Sequence, residues 1–152
     1  MNLINDPADF PDDCPFCAIA RGEDSAAQIV CESAGWVAFF PLGPATPGHT
    51  LLIPRVHVAN FWEADERIVE ELTAAALGVG NAIHRALRPA GMNLISSAGE
   101  AAEQTILHLH LHLVPRFAGD RMGPIWPDHA GGDPTTLDGL SKRISDVWAS
   151  AL

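Results

Sequence analysis

Between Ile68 and Leu87 apolar side chains recur at helical spacing: Ile68, Leu72, Ala75, Ala76, Val79, Ile83 and Leu87. This is the pattern of an amphipathic helix with one buried stripe. The helix is predicted to begin near Phe61 or Trp62, with Asn60 as N-cap and Glu63, Asp65 and Glu66 near its positive end. Pro89 and Gly91 mark its end. Gly78 and Gly80 each weaken such a helix by about 1 kcal/mol relative to alanine, which predicts a close-packing role for them. Shorter apolar runs at Gln28–Glu32, Trp36–Phe40, His49–Pro54 and Met92–Ser96 predict strands, the first two joined by a turn at Ser33-Ala34-Gly35. Cys14-Pro15-Phe16-Cys17 opens a short helical patch running to about Arg21 and stopped by Gly22. Leu137–Ala151, apolar at Leu140, Ile144, Val147, Trp148 and Ala151, predicts a final helix. The segment from Pro41 to Gly48 is dense in prolines and glycines and predicts a shaped loop. Ser97–Glu103 predicts a small-residue loop, and Gly119–Pro134 an irregular stretch. Several short strands, one long helix and a terminal helix predict an α+β fold with a mostly antiparallel sheet.

The most informative alternation lies at Thr105–Val114, predicted as a strand. His108, His110 and His112 occupy every second position and are separated by leucines. In an extended chain the imidazoles line one surface, while Leu107, Leu109, Leu111 and Leu113 line the other. A leucine face packs on a core and leaves the imidazole face to a ligand. A neutral imidazole is both a nucleophile and a metal ligand near pH 7, so the row suits phosphate chemistry or metal binding.

Composition narrows the partners. The chain has 152 residues, a length that suits one domain, and a formal net charge of −10. That charge disfavours nonspecific binding to nucleic acid or anionic membranes but not a small anion in a local pocket. No apolar run reaches membrane-spanning length, and Met1–Asp13 is a polar, acidic stretch without a signal core. The expected organisation is a loose arm at 1–13 and a single domain at 14–152, located in the cytoplasm. Three cysteines, Cys14, Cys17 and Cys31, point to thiols or metal ligands over a disulfide framework.

Three ordered motifs carry a family resemblance. They are Cys14-Pro15-Phe16-Cys17, the segment Ala38-Phe39-Phe40 through Pro47-Gly48-His49 to Pro54-Arg55 with His57 after it, and Gln104-Thr105 before the row His108 to Arg116. In these the chain resembles the histidine triad (HIT) superfamily of nucleotide hydrolases and transferases. The resemblance implies an antiparallel sheet of about five strands, one long helix, and homodimers that join sheets edge to edge. It implies cleavage at the α-phosphate of a nucleotide conjugate, a phosphoramidate or a related substrate. His110 is then the nucleophile that forms a covalent nucleotidyl-histidine. His112 donates to a phosphate oxygen, Thr105 assists the leaving group, and His108 completes the row. The nucleotide is expected against Phe40, Leu42, Ser97, Gln104, Thr105, His110 and His112. The same resemblance implies a structural zinc ion on Cys14, Cys17, His49 and His108, with Cys31 outside that set. Alternatives of the same lineage are a dinucleoside polyphosphate hydrolase or phosphorylase and a non-catalytic, zinc-supported nucleotide-binding module.

The chain departs from the family pattern in three places. Pro41 stands where many members carry a ribose-binding acidic or amide side chain, and proline offers neither a side-chain acceptor nor an N–H. Ser97 replaces an asparagine or glutamine, and Glu103 a glycine. Two roles are open for Trp126, closing the site or covering a loop. Arg116 and Arg121 are either phosphate partners or solvated surface groups. Trp36, Trp62 and Trp148 are expected in the core or an interface.

Overall fold

The computed structural model describes residues 11, 13–128 and 137–151. Most of the predicted N-terminal arm lies outside these residues. The chain forms two compact units, one up to Met122 and one from Gly123 onward.

The first unit is an open antiparallel sheet of five strands in the order β1-β2-β3-β5-β4. The strands are β1 (Ile29–Glu32), β2 (Trp36–Phe39), β3 (Thr50–Pro54), β4 (Gly91–Ser96) and β5 (Leu111–Arg116). Helix α1 (Pro15–Ala20) precedes β1, and α2 (Glu66–Leu87) connects β3 to β4. The expected α+β architecture is the one observed.

The two faces of the sheet have separate cores. Ala38, Leu52, Leu111 and Leu113 meet Leu72, Ala75, Ala76, Val79 and Ile83 of α2. Val37, Phe39, Leu51 and Ile53 meet Ala20 of α1, with Phe16 and Ile19 packed against them. Residues paired across a sheet share a face. His112 pairs with Leu51, so it emerges on the α1 face, while its neighbours Leu111 and Leu113 fill the α2 face.

Helix α2 starts later than predicted. Asn60 caps a separate 3₁₀ turn, Phe61–Glu63, by accepting from the Trp62 N–H. Asp65 then caps α2 by accepting from the Ile68 N–H at 2.8 Å. Arg88 closes the helix in the left-handed region at φ 48°, and Pro89 follows. The close packing expected at the helix glycines is not found. A Cβ at Gly78 would meet nothing within 4 Å, and one at Gly80 only the Met92 methyl at 3.9 Å.

The histidine strand is also shorter than its alternation predicts. Only Leu111 onward is in β5, and residues 105–110 run outside the ladder. The Leu109 N–H donates to Val58 O at 2.6 Å, a contact to the loop after β3. Leu107, expected on the core face, is 63% exposed.

In the second unit, α3 (Leu137–Ser150) matches the predicted final helix. Trp148 on α3 and Trp126 before it are both exposed.

Candidate functional site

Each histidine of the row meets a different set of neighbours, and backbone groups fix its tautomer. A carbonyl can only accept and a backbone N–H can only donate, so the partner decides which ring nitrogen holds the proton. His110 Nδ1 lies 2.7 Å from the His108 carbonyl. Nδ1 therefore carries the proton and Nε2 is left with a bare lone pair. His108 Nε2 lies 2.9 Å from the Pro54 carbonyl, which leaves Nδ1 bare. The Ala45 N–H donates to His49 Nδ1 at 3.0 Å, so the His49 proton sits on Nε2. That Nε2 is 3.0 Å from His112 Nδ1 and donates to it, so His112 keeps its proton on Nε2.

Burial keeps these rings neutral. It lowers the His110 and His49 pKa values and holds His112 down at about 4, where neighbouring His110 and His49 add to the effect. A neutral His110 has an attacking lone pair, and a neutral His112 with its proton on Nε2 is a hydrogen-bond donor beside it. The two rings stand 4.9 Å apart. Phe16 stands edge-on to His110 at 5.2 Å and to Phe39 at 5.4 Å, giving the site an aromatic wall.

At the other end of the row, Cys14, Cys17, His57 and His108 bring one ligand atom each to within 4.8 Å of one another. The bare His108 Nδ1 lies 3.6 Å from Cys14 Sγ and 3.5 Å from Cys17 Sγ, and His57 Nδ1 lies 3.2 Å from Cys17 Sγ. Helix α1 begins inside this turn, where Cys14 Sγ accepts from the Cys17 N–H. Cys17 and His108 are each 0% exposed. Two thiols and two imidazoles converging in a largely buried cluster are a donor set that suits a tetrahedral, soft divalent metal. Burial and neighbouring Cys14 push the Cys17 thiol up to about 12. A thiol ligand gives up its proton on binding, so metal affinity at this site falls with acid.

This quartet corrects the ligand set expected from sequence. His49 is not in it, because both its ring nitrogens are committed to Ala45 and His112. His57 takes the place, brought over the cysteines by the turn that follows β3, and its ring is 5.1 Å from that of His108. The only sequence signal for His57 was its position shortly after Pro54.

Other expected residues have different surroundings. The Gln104 side chain is buried and holds the loop together. Its Oε1 accepts from Gly99 N–H, and its Nε2 donates to Ala59 O and Ile106 O. With both amide protons used inside the protein, it is a loop organiser and not a ready phosphate donor. Thr105 beside it is exposed, and Ser97 is half-buried just after β4. Glu103 has φ 64°, a left-handed conformation that favours glycine, and its side chain is exposed. Phe40 lines an apolar hollow with Val79 and Ile83 of α2, on the face away from His112. Phe39, which sequence reasoning missed, is the phenylalanine on the His112 face. Leu42 is fully exposed. Arg116 is committed to both Asp120 oxygens, at 2.8 and 2.9 Å, and to Asn93 Oδ1 at 2.9 Å. It braces the end of β5, while Arg121 is exposed. Trp62 is exposed and Trp36 packs against the α2-side core.

A five-stranded antiparallel sheet that presents an imidazole cluster beside a Cys/His quartet defines a histidine-triad type of α+β domain. The chain belongs to the HIT domain family, whose model matches residues 23–119. It is 32% identical over 142 residues to Protein hit of Bacillus subtilis, covering 92% of this chain and 97% of that one. A HIT family protein from Bacillus anthracis superposes with a TM-score of 0.80 at 32% identity, over 91% of this chain and 99% of that one. A zinc-bound histidine triad family protein from Mycobacterium smegmatis superposes with a TM-score of 0.67 at 29% identity, over 92% and 98% of the two chains. Family membership supports a nucleotide-binding, hydrolase or transferase kind of function. Among the described residues, no helix is long and apolar enough to cross a membrane.

Proposed function

We propose that the protein cleaves nucleotide conjugates at the α-phosphate, with nucleoside phosphoramidates as the preferred substrate class and His110 as nucleophile. The observation that carries this reading is the His110 hydrogen bond to the His108 carbonyl, which leaves Nε2 bare in a neutral ring. In the first step the Nε2 lone pair forms a bond to phosphorus as the bond to the leaving amine breaks, and the amine departs with a proton taken from solvent. In the second step water attacks phosphorus and gives up a proton to solvent, the P–N bond to His110 breaks with its electron pair returning to Nε2, and the nucleotide is released. His112 donates its Nε2 proton to a phosphate oxygen and stabilises the charge that builds there. His49 supports His112 in that tautomer. Gln104 keeps the loop beside the row in shape, and Thr105 lies exposed next to it for contact with the leaving group.

Zinc is the metal proposed for Cys14, Cys17, His57 and His108. These four side chains would hold the ion, which would then supply rigidity and leave no coordination position open for substrate. The zinc-bound relative supports this choice. We further propose a homodimer formed through β4, a sheet edge on which Leu94 is 59% exposed. Sedimentation at micromolar concentration tests it: a chain that stays monomeric rules the dimer out.

The test of the reaction is mass spectrometry on protein quenched during turnover of an adenylated amine. A one-nucleotide mass increase on the peptide spanning 104–116, absent in His110→Asn, is the expected result. Undiminished turnover by His110→Asn would overturn the covalent route. Comparing phosphoramidate with diadenosine polyphosphate rates, with and without free phosphate, separates this activity from dinucleoside polyphosphate cleavage.

A further inference from the structure

We infer that Phe16 is the positioning residue for His110, and that it ties the nucleophile's orientation to the Cys14–Cys17 turn. The inference rests on the reading of His110 as nucleophile for its kinetic part only.

A single hydrogen bond is a weak lock. One neutral hydrogen bond favours one ring orientation by only a few-fold to about tenfold. If the His110 ring turns over about its Cβ–Cγ bond, Nδ1 loses the His108 carbonyl and the bare nitrogen no longer points where it did. Packing must complete the lock. Two aromatic rings flank His110 among the described residues: His112 at 4.9 Å, inclined at 62°, and Phe16 at 5.2 Å, inclined at 85°. His112 has its own hydrogen-bonding duty, so Phe16 is the purely apolar restraint.

Phe16 is well anchored for this task. It lies between the two cysteines in sequence, at the start of α1, and the Cys14 sulfur accepts from the Cys17 N–H across it. Its ring also stands edge-on to His108 at 6.0 Å and to Phe39 at 5.4 Å, inclined at 74° to each. One side chain thus touches a residue of the Cys/His quartet, the proposed nucleophile and the α1-side core. Edge-to-face contacts of this kind hold a ring at a set angle, which aliphatic packing does not. When both thiols are held, the backbone of Phe16 is held with them, and so is the wall against which His110 rests.

The experiment compares wild type, Phe16→Leu, Phe16→Met and Phe16→Tyr, with Val79→Ala in the α2-side core as control. The leucine and methionine variants roughly keep volume and remove the ring, and the tyrosine variant keeps the ring. Nitrogen-15 histidine NMR of the free protein reads the His110 tautomer directly, and elemental analysis reads metal content. Wild type and Phe16→Tyr are expected to show a single Nδ1–H form of His110. Phe16→Leu and Phe16→Met are expected to show a mixture of both tautomers with metal content unchanged. Their kcat should fall about tenfold, with KM within about twofold of wild type. A single Nδ1–H form in both ring-less variants overturns the inference. So does equal mixing in Val79→Ala, which would trace the effect to general loosening of the core. Wild type that forms no nucleotide adduct defeats the nucleophile reading instead, and the tautomer comparison still decides the role of Phe16.

Discussion

His108 and His112 lie four residues apart in one alternating run, yet the structure gives them opposite hydrogen-bond settings. His108 is fully buried, donates its Nε2 proton to the Pro54 carbonyl, and turns a bare Nδ1 toward two thiols. His112 sits in β5, accepts from His49 on Nδ1, and keeps a proton on Nε2. One end of the row offers a bare nitrogen and the other a donor N–H. The difference does not come from residue type or spacing, which are the same. It comes from which backbone groups the neighbouring segments bring to each ring. His110, between them, takes its orientation from the His108 carbonyl and its wall from Phe16. His108 and His110 are therefore linked through the His108 carbonyl and through the Phe16 ring.

The sharpest way to break this division is at its centre. His110→Asn is expected to lower the rate at least about 10³-fold while leaving metal content and folding intact. Rate assays and elemental analysis on the same sample check both halves, and loss of metal in this variant would mean that the two ends are not separable. His112→Ala should follow, with kcat down about 10²-fold through loss of one donor to the phosphate and again with no loss of metal.

His57 and His49, the site histidines outside the row, provide the next contrast. His57→Ala is expected to lose the metal and to unfold at distinctly lower urea concentration, because a closed site adds its binding free energy to folding. His49→Ala should retain the metal and lose about tenfold in rate, the usual scale for removing a hydrogen-bond partner that orients a working imidazole. The reverse result, metal lost from His49→Ala and kept by His57→Ala, would restore the ligand set suggested by sequence.

The smallest effect is a pH dependence. Burial lowers His108 and His112 from 6.5 to about 4 in the metal-free fold. Between those values the unfolded chain binds more protons than the folded one. Stability is therefore complete above about pH 6.5 and is lost as the pH falls toward about 4. Urea melts of chelated protein at pH 5 and pH 7 should differ by about 1–2 kcal/mol per histidine, less where solvent screens the ring. Metal-loaded protein should keep only the His112 share until acid displaces the ion. A flat profile in the chelated protein would show that these rings are not neutral by burial.

Much of this was legible in the sequence. The α2 stripe from Leu72 to Ile83 is buried as its spacing requires, since helical periodicity is local and survives any tertiary arrangement. The α+β class and the final helix followed from pattern and family resemblance. Other expectations failed where a distant segment intervened. The Thr105–Val114 alternation was real, yet hydrogen bonds from Gln104 and Leu109 to the loop after β3 pull residues 105–110 out of the ladder. Phe39 and Phe40 are adjacent and alike in sequence, and sheet register alone puts Phe39 with Leu51 and Phe40 on the other face. A one-residue shift in a strand exchanges the two faces, so side-chain type does not reveal which residue meets the site.

By itself the sequence determined the histidine count and spacing, the Cys-x-x-Cys turn and the apolar periods, because these depend only on covalent order and local geometry. Tertiary structure alone decided that His57 and not His49 joins the thiols, and that Phe16 rests against His110. It also decided which nitrogen of each imidazole is left bare. A ring nitrogen is protonated or not according to the carbonyl or amide that faces it. Pro54 and His108 lie 54 residues apart along the chain, and His49 and His112 lie 63 apart, so these partners meet only once it has folded.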